Sequence, residues 1–305
     1  MLARWLRLGL GLEIAVLFAV ALLLVREGGW SPAAASGFFV AGFLLVSSAP
    51  ILAAYVITLV YRRRTGVPAI GVLRALRGLA GEWLSVFALF GLLQPFERWW
   101  MGADTVGAVG GRRSVVLLVH GYVCNRGQWW WMRRRLRAGG FAVATINLEP
   151  PLADIDHFAD LLRERIEALL GETGVERLAL VAHSMGGLVA RAYLRRHGSA
   201  RVSTLITLVS PHGGTVLAYL GPGRDARQMQ PGSDWLRHLA EQESFGVPVL
   251  SLGAGLDEIV VPQEGSRLAG ARNKTFATLG HLSMLFSAAV LRCVQSELER
   301  PGSPQ

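Results

Sequence analysis

The residues Ala182-His183-Ser184-Met185-Gly186-Gly187 set a serine among small neighbours, after the apolar run Leu178 to Val181 and before the helix-like stretch Leu188 to Arg196. A serine hydroxyl is a poor nucleophile until a base takes its proton, and a chain that uses one exposes the oxygen on a tight strand-to-helix turn, a nucleophile elbow. Ala182 occupies a position where glycine is commoner, while Gly186 keeps the small-residue requirement. The plainer alternative is an ordinary strand, turn and helix with an incidental serine.

Activation of Ser184 requires a histidine, and the histidine requires a carboxylate that orients its ring and stabilises the imidazolium. Asp257 stands in Leu252-Gly253-Ala254-Gly255-Leu256-Asp257, just past a buried run, and His281 follows in Leu279-Gly280-His281. The rival histidines are less well placed for this role. His183 is inside the elbow, His120 precedes a glycine, His157 and His197 fall on helices, and His212 and His238 are weaker rivals; Asp225 and Asp234 compete with Asp257 but fall in an irregular segment. Chemistry at a carbonyl also needs donors for the oxygen that becomes negative, usually two backbone amides. Met185, next after the serine, supplies one, and Tyr122 in Val119-His120-Gly121-Tyr122 supplies the other, with Gly121 allowing the sharp turn. Read plainly, that histidine-glycine pair is only a turn.

The elements that must hold these residues are legible as periodicity. Apolar runs at Val115 to Val119, Ala142 to Ile146, Leu178 to Val181, Val202 to Val209, Val247 to Leu252 and Thr275 to Thr278 read as strands. Helical patterns cover Gln128 to Leu136, Ile155 to Leu170, Met185 to Arg196 and Leu282 to Leu298. In Ile155 to Leu170 the apolar residues recur at helical spacing and are core, leaving Asp160, Arg163, Glu164 and Glu167 for solvent. The alternation predicts an α/β class with a mostly parallel sheet flanked by helices. Between residues 213 and 246 the periodicity is lost, and that segment reads as a lid-like insertion. No internal repeat is evident, and a short polar tail begins at Pro301.

Residues 114 to 299 resemble an α/β-hydrolase of the bacterial lipase and esterase type. The pieces that carry the resemblance are Leu118-Val119-His120-Gly121-Tyr122, the AlaHisSerMetGlyGly elbow, Ser210-Pro211-His212-Gly213-Gly214-Thr215, Asp257 with Ile259-Val260-Val261-Pro262, and Gly280-His281. The chain order nucleophile, acid, base is that of the family. The resemblance implies a catalytic triad of Ser184, Asp257 and His281, an oxyanion hole of the Tyr122 and Met185 amides, and hydrolysis of carboxylic esters, with lipid-like acyl esters foremost. The same triad serves acyl transfer and thioester hydrolysis, and a hydrolase fold also occurs in non-catalytic scaffolds. The chemistry needs no cofactor and no catalytic metal, although some related lipases carry a structural calcium. Trp129 and Trp130, two of three consecutive tryptophans after the Tyr122 loop, are substrate-binding candidates, with core packing as the even alternative. Arg133, Arg134 and Arg135 behind them read as a solvated face or as contacts to lipid phosphates.

Residues 1 to 100 lie outside this resemblance. The chain is 51% hydrophobic and only 17% charged, and the excess sits here. Leu8 to Val25, interrupted only by Glu13, and Phe38 to Tyr61 read as two transmembrane helices. Glu13 lies close enough to one end to reach the membrane surface. Arg4 and Arg7 before the first span and Arg62, Arg63, Arg64, Arg74 and Arg77 after the second place both outer flanks, and so the catalytic part, in the cytoplasm, with a bacterial inner membrane as the implied location. A signal peptide cleaved near Ala33 and Ala35 is the competing reading of the first run. Residues 83 to 93 are short for a crossing and read as an interfacial helix, with Trp83, Trp99 and Trp100 at the headgroups. The net charge of +9, with all but one of the 31 basic residues arginine, comes with no base-reading motif and is better explained by membrane topology and anionic headgroups, so no nucleic-acid partner is expected. Cys124 and Cys293 are too few for a disulfide framework and read as free thiols. The partners implied are an ester or lipid substrate and the bilayer, with no obligate protein partner.

Overall fold

The computed structural model describes residues 1–66, 71–106, 115–241 and 244–300. The expected boundary at Ser114 and the polar tail from Pro301 lie outside the described residues. Six strands, β1 (Val115–Val119), β2 (Ala142–Thr145), β3 (Leu178–His183), β4 (Val202–Leu208), β5 (Val249–Ala254) and β6 (Arg272–Phe276), form one sheet in the order β2-β1-β3-β4-β5-β6. Every neighbouring pair is parallel.

The helices in chain order are α1 (Leu2–Arg26), α2 (Pro32–Thr65), α3 (Val72–Val86), α4 (Glu97–Met101), α5 (Trp130–Ala138), α6 (Ile155–Thr173), α7 (Met185–His197), α8 (Arg224–Gln228), α9 (Asp234–Ala240) and α10 (Ala288–Leu298). Successive side chains of a strand point to opposite faces, so a strand buried on both sides is apolar throughout. On β1, Val115, Leu117 and Val119 enter one core with Ile155, Phe158 and Leu162 of α6 and Leu188 and Ala192 of α7. Val116 and Leu118 enter the other, with Met132 and Leu136 of α5 and Val290 and Val294 of α10.

The largest departure from periodicity is β6, expected at Thr275 to Thr278 and found three residues earlier. Arg272, Asn273, Lys274 and Thr275 are exposed on this edge strand, where apolar runs are not required. The single helix expected from Leu282 begins instead as a 3-10 turn, Ser283–Phe286, and restarts at α10, whose Ser287 hydroxyl accepts the Val290 amide. Gln128 to Leu136 is similarly divided between a 3-10 turn, Arg126–Trp129, and α5.

Among the described residues three helical segments, Leu2–Arg26, Pro32–Thr65 and Leu73–Leu93, are long and apolar enough to cross a membrane. Residues 83–93 are thus the end of α3 and of its π-helical continuation Phe87–Leu93, not a separate helix. Glu82, Ser85 and Leu89 of this segment are buried, and Leu89 and Leu93 pack into the core beside Trp129. Trp83 donates its indole N–H to Ser48 of α2 at 2.5 Å, so it is used between helices. Glu13 of α1 accepts the Ser47 hydroxyl of α2 at 3.0 Å.

Candidate active site

β1 and β3 are neighbours, yet the chain leaves them toward opposite edges of the sheet, β2 on one side and β4 on the other. Loops diverge at such a switch point and open a crevice at the carboxyl ends of the strands. Both the His120-Gly121-Tyr122 loop and Ser184 lie there.

Ser184 joins β3 to α7 with φ 55° and ψ −127°. A non-glycine residue in that region costs on the order of 1–3 kcal/mol, and such strain persists where surrounding contacts fix it. Here the Ser184 amide donates to Leu208 O at 2.8 Å and the Gly187 amide donates to Ser184 O at 3.0 Å. The small residues are sterically required. A Cβ on Gly186 would lie 2.6 Å from the carbonyl oxygens of Val119 and His120, and one on Gly121 would lie 2.9 Å from the Ser184 Cβ. Ala182, buried in β3 and in register with Val119 and Thr207, fits where glycine is commoner.

His281 is 3% exposed and its Nδ1 donates to the Asp257 carboxylate, 3.1 Å from each oxygen. Asp257 is held in turn by the amides of Ile259 and Val260, which donate to its Oδ1 at 2.9 and 2.7 Å. Among the described residues no other histidine ring meets a buried carboxylate. His120 is used structurally, accepting the Leu148 amide on Nε2 and donating to Gly121 O, and burial pulls its pKa down to about 4. His212, against Thr207 and Arg191, is held well below the usual range by burial and then by the Arg191 charge. His183 is held low by burial and then by the charge of His281; its Nε2 donates to His281 O at 3.3 Å, with the two rings 4.8 Å apart.

Ser184 and His281 stand on the wall of one cavity of about 380 Å³. Gly121, Tyr122 and Val123 form one side, while Ser47, Pro50 and Ile51 of α2 and Val86 and Phe90 of the α3 segment form the other. A second cavity of about 300 Å³ shares Ser184 and Tyr122 and runs between α2 at Ala53, Ala54 and Ile57 and the 213–246 segment at Leu217, Leu220 and Met229. The Tyr122 hydroxyl donates to Pro222 O, which ties the Tyr122 loop to the 213–246 segment.

Trp129 and Trp130 do not reach either cavity. The junction of the 3-10 turn and α5 turns consecutive indoles in different directions. Trp129 is wholly buried, its ring edge-on to His183 at 6.3 Å, and Trp130 packs against Trp100 at 5.7 Å. Arg133, expected on a solvated face, is buried, donating to Met101 O and pairing with Asp104.

Two polar residues at the site escape reading from spacing. Gln94, buried at the end of the Phe87–Leu93 segment, accepts the Asn125 amide at 2.8 Å and accepts the Asn125 side chain on its own carbonyl, fixing the loop that follows Tyr122. Glu82 accepts the amides of Leu282 and Ser283 at 2.8 Å each. The only signal for either was a lone polar residue bounding an apolar run.

Asp225, at the start of α8, is 1% exposed, and burial pushes its pKa up to about 7. A carboxyl raised on folding binds its proton more tightly in the folded state, so this contribution is present at low pH and lost as pH rises from about 4 through 7. Asp225→Asn is expected to raise stability at pH 8 by roughly 2 kcal/mol, below the full value of the shift because solvent reaches the neighbouring loop, and to change little at pH 4. Melting temperatures of the two proteins against pH check this, with the curves converging toward acid.

Residues 114–231 match the model of the alpha/beta hydrolase fold family. The mature lipase BlEst2 of Bacillus licheniformis superposes with a TM-score of 0.58 at 17% identity, over 65% of this chain and 96% of that one. Lipase B of Aspergillus fumigatus superposes with a TM-score of 0.60 at 13% identity, over 96% of this chain and 86% of that one. The region of the six-stranded sheet has the α/β-hydrolase fold, and three apolar helical segments precede it.

Proposed function

We propose that this protein is a membrane-anchored serine hydrolase that cleaves carboxylic esters with lipid-like acyl groups. The observation that carries the reading is the apolar cavity at Ser184, with His281 and its Asp257 partner on one side and α2 and the α3 segment on the other. Ser184 Oγ attacks the ester carbonyl while His281 Nε2 takes its proton, and Asp257 stabilises the imidazolium. The amides of Tyr122 and Met185 bind the oxyanion. Collapse breaks the carbon–oxygen bond, and His281 returns the proton to the departing alcohol. Water, deprotonated by His281, then attacks the acyl-enzyme and releases the acid and Ser184. The hydrophobic wall receives the acyl chain, and the 213–246 segment acts as its lid.

The exposed faces of α1 and of the first part of α2, with Leu8, Leu12, Phe18, Leu45 and Val46 uncovered, suit a bilayer. A helix of 34 residues such as α2 is about 51 Å long against a hydrocarbon thickness of about 30 Å, so its later part, with Ile51, Ala54 and Thr58 buried, extends along the hydrolase region. Two crossings, by α1 and α2, put the arginine-rich flanks and the catalytic region in the cytoplasm. Hydrolysis of p-nitrophenyl esters by the protein in lipid nanodiscs, from acetyl to palmitoyl, tests the substrate class. Values of kcat/KM are expected to rise with chain length; activity restricted to short, water-soluble esters would remove the lipid reading.

A further inference from the structure

The carboxylate of Glu82 belongs to α3, outside the sheet region, yet it is wholly buried against the turn that carries the histidine proposed as the base. Its Oε2 accepts the Leu282 amide and its Oε1 accepts the Ser283 amide, each at 2.8 Å. That turn is closed on itself by the Gly280 amide donating to Ser283 Oγ at 3.0 Å. Gly280 is part of this fit, since a Cβ there would lie 2.5 Å from Glu82 Oε1.

Burying a carboxylate is costly unless hydrogen bonds replace its water, and two backbone donors to two oxygens do so in the ionised form. A neighbouring carboxyl does not share that provision. Glu258 is also wholly buried, and its carboxyl lies within hydrogen-bond reach of that of Glu82. Burial raises its pKa well above the usual range, with the charges of Glu82 and Asp257 adding to the effect. The Glu82 carboxyl therefore grips the amides after His281, while the Asp257 carboxyl grips the ring. A hydrophobic residue at this buried position would make neither demand. What the carboxylate adds is a fixed position for residues 281 to 283.

We propose that Glu82 is a positioning residue through which the helices preceding the sheet region hold His281 in line with Ser184. This rests on the serine-hydrolase reading above. Its consequence is that the N-terminal region completes the active site as well as anchoring it.

The test uses the full-length protein in nanodiscs. In Glu82→Ala the turn loses both acceptors, and a base displaced by about 1 Å costs on the order of a hundredfold in kcat, with KM for a short ester within threefold of the parent because the walls from α2, Phe90 and the Tyr122 loop are untouched. Glu82→Gln, whose single carbonyl oxygen satisfies one amide and not both, is expected to fall between, at about tenfold. Ser48→Ala, which loses the Trp83 hydrogen bond between α2 and α3, controls for a general loosening of the helices and should keep kcat within about twofold. Unchanged kcat in a folded Glu82→Ala, or a loss matched by Ser48→Ala, would overturn the proposal. If the alanine variant does not fold, parental kcat in the closely isosteric Glu82→Gln would overturn it equally. Fluorophosphonate labelling of the parent separates the two readings: an unlabelled parent removes the serine-hydrolase reading and this one with it, whereas a labelled parent with unaffected Glu82 variants removes only the role of Glu82.

Discussion

Ser184→Ala is expected to lower kcat by about a millionfold and to abolish labelling by a fluorophosphonate, with the melting temperature close to that of the parent. The size follows from the role: without Oγ there is no acyl-enzyme, and His281, Asp257 and the two amides have no proton or oxyanion to act on together. What survives is the modest acceleration from binding and the oxyanion amides alone. The fold should tolerate the change because it removes one atom from a side chain only 7% exposed. Alanine at φ 55° meets the same backbone strain that serine does, so that cost cancels in the comparison. Loss of activity together with loss of the folded protein would leave the triad unsupported. Ester hydrolysis that persists in a folded Ser184→Ala would exclude Ser184 as the nucleophile, and a folded parent that never labels would favour a scaffold.

The parts of this arrangement that are local in sequence are the parts that spacing reveals. Ser184 is marked by its own neighbours, since Gly186 is demanded by the carbonyls of Val119 and His120 and Gly121 by the serine itself. Buried parallel strands announce themselves as apolar runs, which is why β1 and β3 fall where periodicity sets them. The polar edge strand β6 does not, because one side of it is solvent. Long-range dependence hides the rest. The fact that α2 and the α3 segment wall the cavity depends on tertiary packing across more than a hundred residues. Glu82 looks like the polar boundary of an apolar stretch until the amides of Leu282 and Ser283 are found on its oxygens. The tryptophans fail in the opposite direction: three adjacent indoles draw the eye, but Trp129 fills a core and Trp130 covers Trp100.

Asp257→Asn is expected to lower kcat on the order of ten-thousandfold while leaving the local fold in place, and the hydrogen bonds say why. Oδ1 accepts from Ile259 and Val260, so an asparagine is pinned with its carbonyl oxygen on those two amides. Its NH2 group then occupies the position of Oδ2, 3.1 Å from His281 Nδ1. Oδ1, also 3.1 Å from Nδ1, already accepts from two amides, so the NH2 donor facing Nδ1 favours that nitrogen as the acceptor, which moves the ring proton to Nε2. A protonated Nε2 cannot take the proton of Ser184, and the imidazolium it would form has lost its carboxylate. Because the change acts on the tautomer rather than on the cavity, KM for a short ester should stay within a few-fold of the parent. Assayed at pH 8, Asp225→Asn supplies the contrast, since it also neutralises a buried carboxyl but one on α8 that makes no hydrogen bond to His281. A comparable loss of kcat in both variants would mean that Asp257 matters only as buried charge. A loss confined to Asp257→Asn, with the melting temperature held, ties the effect to the orientation of the His281 ring.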